Sequence, residues 1–104
     1  MTKVELFNHI DTTFDRCLNK IRAKNAGYNG DGDPLKTYRA TELMGNCSTE
    51  QGIMSRIIEK MSRITTQLSV RKTQDEPIEE TITDAIGCLA ILLAYLDTKE
   101  NHKS

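Results

Sequence analysis

Three cations with regular spacing are the residues best placed to do chemistry. Arg56, Lys60 and Arg63 lie in the stretch GIMSRIIEKMSRITTQLSVR, from Gly52 to Arg71. On a helix turning about 100° per residue they fall within about 60° of one another. Met54, Ile57, Ile58, Met61, Ile64 and Leu68 share an adjoining side, which predicts that this side is buried. A row of cations beside a buried face suits the holding of an anion. Arginine forks and a lysine ammonium grip phosphate in several geometries. The same spacing permits a second arrangement. Glu59 stands three residues after Arg56 and four before Arg63, so the row can also be a solvated salt-bridge face.

A second chemistry is open to the acids. Glu80 and Asp84, at i and i+4, can face one ion, and Glu59 can join them from the preceding helix. Three carboxylates can hold one Mg²⁺, which demands near-octahedral geometry. The stretch NAGYNGDGDP, Asn25 to Pro34, is rich in glycine and reads as a turn-rich loop. Its glycines would let backbone N–H groups approach a ligand. Tyr28 offers a flat face and a hydroxyl, or else caps the core beneath the loop. The DGD within it lacks the glutamate that completes a calcium loop at the twelfth position. No Ser-His-Asp or Cys-His grouping supports covalent catalysis, so no catalytic residue is assigned. His9 and His102 are isolated, and zinc has no clustered Cys and His to bind it.

Four helices would position these groups. Phe7, Ile10, Phe14, Cys17, Leu18 and Ile21 recur at helical spacing and predict a helix over 3–24. Its other face, including Asp11, Asp15, Arg16, Asn19 and Lys20, reads as solvated. A short helix over 35–44 carries Tyr38 and Arg39 and ends at Gly45. Ser48 followed by Gln51 is a capping box and predicts a helix over 49–70. After a polar link, Pro77 is suited to open a helix over 77–98, with Asp75, Glu76, Glu79 and Glu80 complementing its N-terminal dipole. From Ala85 to Leu96 that last helix is apolar on all sides, so it must be covered all round. Three long helices cannot do this alone. A second copy of the chain is expected to cover the rest, with Gly87 permitting close backbone approach. The fold expected is a single all-α domain over 1–104, three long helices and one short, its bundle completed by homo-oligomerisation.

Composition narrows the function classes. The chain has 104 residues and a formal net charge of −1, so any basic site is local and direct binding to duplex DNA is not expected. Of three cysteines, Cys17 and Cys88 sit among apolar residues and read as small core hydrophobes. Their odd number and the lack of a signal peptide fit a reducing cytoplasm. The run Ala85 to Leu96 is too short to span a bilayer.

Three blocks together resemble a known family. KNAGYNGDGDPLKTYRATELMG, then EQGIMSRIIEKMSRI, then DEPIEETITDAIGCLAILLAYL are similar to the phage "nucleotide modification associated domain" family. Its members read approximately K-N-x-D-Y-x-G…D-P-x-x-N-F-R, then R-x-x-D-K-x-S-R on a helix, then E-S-I-E-D-T-L-x-D-x-A-N-Y. Lys24, Asn25, Tyr28, Arg39, Arg56, Lys60, Ser62, Arg63, Thr81 and Asp84 match. The departures fall mainly on acids: Gly27, Glu59 and Glu80 stand where the family has aspartate, and Gly87-Cys88 replaces Asn-Tyr. The likeness to all-α nucleotide pyrophosphohydrolases, which hold Mg²⁺ with acidic side chains, is weaker. The resemblance implies an all-helical, cytoplasmic phage protein that handles nucleotides. Because the cationic and aromatic positions are kept better than the acidic ones, gripping a nucleotide is favoured over hydrolysing it. Lys24, Arg39, Arg56, Lys60 and Arg63 would then meet phosphate, and Tyr28 or Tyr38 would stack on a base. The ligand would be a host immune signal, a cyclic oligonucleotide or an ADP-ribose derivative, sequestered without a cofactor. Two alternatives stand beside it: a Mg-dependent phosphohydrolase using Glu59, Glu80 and Asp84, and a non-catalytic adaptor in phage DNA modification whose cations pair with those same acids.

Overall fold

The computed structural model describes residues 1–29, 35, 36, 39, 40, 45, 48–70 and 77–101, with 28, 29 and 99–101 described for backbone only. Three helices make up almost all of this, and the described residues contain no strand. Helix α1 spans Lys3–Asn29, α2 Thr49–Ser69 and α3 Ile78–Asn101. The expected helix over 35–44 lies largely outside the described residues. Within it the Arg39 N–H donates to the Leu35 carbonyl at 3.0 Å, and Gly45 takes the left-handed φ of 77°.

Local signals explain the starts. The Thr2 hydroxyl accepts from the Glu5 N–H at 3.1 Å and caps α1. At α2 the capping box is complete: the Gln51 N–H donates to Ser48 Oγ at 3.2 Å, and the Ser48 N–H donates to Gln51 Oε1 at 2.9 Å. Ser48→Ala removes one half of this reciprocal pair, and a loss of about 1 kcal/mol in urea unfolding is expected. Pro77 sits one residue before α3 rather than inside it, its carbonyl accepting from the Glu80 N–H at 3.0 Å.

Two ends differ from expectation. α1 continues through Asn25, Ala26 and Gly27 to Asn29, where a loop is predicted from Asn25. A single glycine costs a helix only about 1 kcal/mol, which the preceding turns outweigh. α3 likewise continues to Asn101. Its stretch Ile78–Thr98, with a mean hydropathy of 1.4, is long and apolar enough to cross a membrane by length and composition. The twelve-residue run underestimates it because Ile78, Thr81, Ile82 and Thr83 extend the weakly polar stretch.

α3 is the central element, packing against both α2 and α1. Among the described residues α1 and α2 do not approach each other closely. Gly87 brings α1 close: a Cβ there would lie 3.3 Å from Ile21 Cγ1. The close approach expected of Gly87 therefore occurs within the chain.

Among the described residues the buried apolar set is Cys17, Ile53, Ile57 and Ala85, and four polar residues, Thr49, Gln67, Thr81 and Thr83, are buried with it. On α2 the inward face runs through Thr49, Ile53, Ile57, Lys60, Ile64 and Gln67. It is turned by roughly 80° from the predicted apolar side. Met54, Ile58, Met61 and Leu68, expected inside, are exposed. In this rotation Ile53 and Ile57 are buried and Lys60 points inward, to a polar anchor on α3.

Candidate functional site

That anchor is Asp84. Its side chain is only 9% exposed, and three ammonium groups surround it. Lys20 Nζ is 2.9 Å and Lys24 Nζ 3.1 Å from Oδ1, and Lys60 Nζ is 3.6 Å from Oδ2. Lys20 and Lys24 belong to α1, four residues apart and so on one face. Lys60 comes from α2. One carboxylate thus ties together all three helices.

Lys20 is the most heavily engaged of the three. It also lies 3.6 Å from Glu80 Oε2 and donates to Thr83 Oγ1 at 2.8 Å. The Thr83 hydroxyl in turn donates to the Glu80 carbonyl at 3.0 Å, and the Cys17 thiol donates to the Thr83 carbonyl at 3.6 Å. Burial works against ionising Asp84, yet hydrogen bonds from Lys20 and Lys24 and their charge hold it below its ordinary value. Burial likewise opposes the charge on Lys20. The hydrogen bond and attraction of Asp84, reinforced by Glu80, outweigh it and raise the lysine above its ordinary value.

The predicted site residues separate into three groups. Lys24, Lys60, Glu80 and Asp84 come together. Arg63 and Glu59 instead pair with each other on the outer side of α2, at 3.4 Å, both exposed. Arg56 is exposed and forms no ion pair with a described residue. Arg39 is exposed. Tyr28 falls in the last turn of α1 with its side chain outside the described residues, and Tyr38 lies outside them altogether. The cationic row is therefore divided: Lys60 turns inward while Arg56 and Arg63 face solvent.

Glu59, Glu80 and Asp84 do not meet at one point, and no group of three Asp, Glu, His or Cys side chains does so among the described residues. Both oxygens of Asp84 already face ammonium groups, so a cation at Asp84 would have to displace them.

Sequence reasoning missed Lys20 and Thr83. Its sequence neighbours place Lys20 on the solvated side with Asp15 and Arg16, yet its side chain is 23% exposed. The available signal was its position: three residues after Cys17 and four before Lys24, it shares their face, and a lysine stem can lie along apolar surface. A separate open groove of about 620 Å³ lies between the first half of α1 and the start of α3. It sets Glu5 and Glu79 against Arg16 and contains none of the predicted ligand-binding residues. No family model matches the chain, and neither a curated protein nor a solved structure does.

Proposed function

We propose that the protein binds a phosphorylated small molecule, a nucleotide, at the lysine cluster and holds it without turnover. The carrying observation is the surplus of cations at Asp84: among the described residues three ammonium groups face one carboxylate, with only Glu80 as a second anion paired there. Lys24 is the most exposed lysine of that cluster, at 53%. It can turn to a phosphate while Lys20 and Lys60 continue to neutralise Asp84. Arg56, exposed on α2, supplies a further cation. The likeness to a phage nucleotide-handling family supports a host immune signal, a cyclic oligonucleotide or an ADP-ribose derivative, as the ligand class. The binder works as a homo-oligomer, since the apolar outer side of α3 is left uncovered by its own chain.

The test is a thermal-shift screen with ATP, ADP-ribose and cyclic di- and trinucleotides, with and without Mg²⁺. A ligand at 100 times its Kd should add about 2.7 kcal/mol of stability. Lys24→Ala should weaken binding about tenfold or more while lowering stability by under about 1 kcal/mol, because the lysine is half exposed. A shift without Mg²⁺, with ligand recovered intact, is the expected result. Ligand recovered cleaved in the presence of Mg²⁺ would replace this reading with the hydrolase. If no compound shifts the melting temperature, the lysines act as a structural lock, and the adaptor reading takes its place.

A further inference from the structure

We infer that Thr83 is a positioning residue for the lysine cluster: it fixes Lys20 on Asp84 and so leaves Lys24 as the lysine that meets the phosphate. The inference rests on the phosphate-binding reading above and assigns the roles within that site.

The three lysines carry equal charge but unequal bonding. An ammonium group has three N–H donors. Lys20 Nζ lies 2.9 Å from Asp84 Oδ1 and 2.8 Å from Thr83 Oγ1, with the Glu80 carbonyl at 3.5 Å and the Glu80 carboxylate at 3.6 Å. Its donors are therefore all engaged. Lys24 Nζ has, among the described residues, one partner, Asp84 Oδ1 at 3.1 Å. Lys60 approaches the other oxygen of Asp84 only to 3.6 Å and is mostly buried, so it serves as a counter-charge rather than a hydrogen-bond donor. Lys24 alone combines exposure with donors to spare.

Thr83 creates this inequality through the direction of its hydroxyl. Glu80, Thr83 and Asp84 stand at i, i+3 and i+4 on α3 and present one face. The Thr83 hydroxyl donates its single proton to the Glu80 carbonyl at 3.0 Å. Toward Lys20 the oxygen can then only accept. Thr83 is buried, so little water competes for that lone pair. The register of α1 decides which lysine receives it. The Cys17 thiol meets the Thr83 carbonyl at 3.6 Å, and Ile21 lies against Gly87. These contacts flank Lys20 and set it opposite Thr83. Lys24 follows one turn later, where its acceptor is Asp84. Without the hydroxyl, Lys20 would lose its shortest hydrogen bond and compete with Lys24 for Oδ1 on nearly equal terms.

Competitive acetylation of the folded chain with acetic anhydride, read lysine by lysine by mass spectrometry, tests this in the native protein, Thr83→Val and Thr83→Ser. Native Lys24 should react well ahead of Lys20. Thr83→Val keeps the shape and removes the acceptor, so the ratio of Lys24 to Lys20 labelling should fall by about fivefold or more. Thr83→Ser keeps the hydroxyl and should keep the native ratio. Loss of a merely structural group would raise both rates together and leave the ratio in place. Inorganic pyrophosphate, added as the phosphate probe without Mg²⁺, should protect Lys24 more than Lys20 in the native protein and in Thr83→Ser. Equal labelling of Lys20 and Lys24 in the native chain would overturn the role of Thr83, whether or not a phosphate binds. So would a ratio unmoved in a Thr83→Val chain that stays helical by far-UV circular dichroism. Protection of Lys20 ahead of Lys24 would overturn the assignment of Lys24. If the ratio falls as expected and pyrophosphate protects no lysine, the phosphate role of Lys24 is overturned together with the binding reading, and Thr83 orders a structural lock instead.

Discussion

Asp84→Asn should cost about 2–3 kcal/mol, a large share of the stability of a domain this size. The substitution keeps the shape and removes the charge on which Lys20, Lys24 and Lys60 converge. Two of those lysines are mostly buried and, among the described residues, would have only Glu80 to offset them. A fully buried pair that loses one partner costs about 3–5 kcal/mol. The lower figure applies here because Lys24 is half exposed and solvent screens it. Urea unfolding followed by circular dichroism measures the difference, and a loss below 0.5 kcal/mol would contradict the central place of Asp84. The pH dependence follows from the same contacts. Asp84 has its folded pKa lowered, so its contribution is complete above the unfolded carboxylate value near 4 and is lost as pH falls through the folded one. Lys20 has its folded pKa raised, so its contribution is complete below the unfolded lysine value near 10.4 and is lost as pH rises through the folded one. The native protein should therefore hold a plateau between about pH 5 and 10 and weaken on both sides. In Asp84→Asn the acid limb should flatten.

Ile53→Ala should be as damaging, at about 3–4 kcal/mol, while Ile58→Ala should cost under about 0.5 kcal/mol in the single chain. The chemistry is the same and the helix is the same. Ile53 is fully buried against α3, whereas Ile58 is 62% exposed. Among the described residues few other apolar side chains are buried with Ile53, so little there can relax into the space it leaves. The pair of variants reads the rotation of α2 directly. Had the helix buried the side that its apolar pattern marks, Ile58 would be the costly position and Ile53 the cheap one. Melting temperatures of the two variants in dilute solution decide it.

The contrast between Ile53 and Ile58 shows where the sequence was legible. The three long helices and the cap at Ser48 rest on local signals, and those elements are present. Which face turns inward was not legible in the same way. Hydrophobic periodicity marks every apolar stripe, but it does not say whether a stripe meets its own chain or faces outward. On α2 the inward face combines the buried Ile53 and Ile57 with Lys60, which reaches Asp84, while Met54, Ile58, Met61 and Leu68 stay outside. Asp84 was recognised as a residue of interest from its spacing to Glu80. Its partners were harder to foresee, because ion pairs between helices depend on how those helices rotate. Lys20 illustrates this: its neighbours in sequence are polar, and only the docking of Cys17 beside it shows which way it points.

The separate packing of α1 and α2 on α3 also sets an order of events during synthesis. The first two helices emerge with no surface for each other, since all their described packing is with the third. No stable pair can form on the ribosome until α3 has been made. The nascent chain would therefore carry two open amphipathic helices for most of its translation and gain its tertiary contacts late, in one step. Trapping and collapse of such a chain depend on how quickly α3 arrives, so slow translation through that segment should lower the yield of folded protein more than slow translation elsewhere.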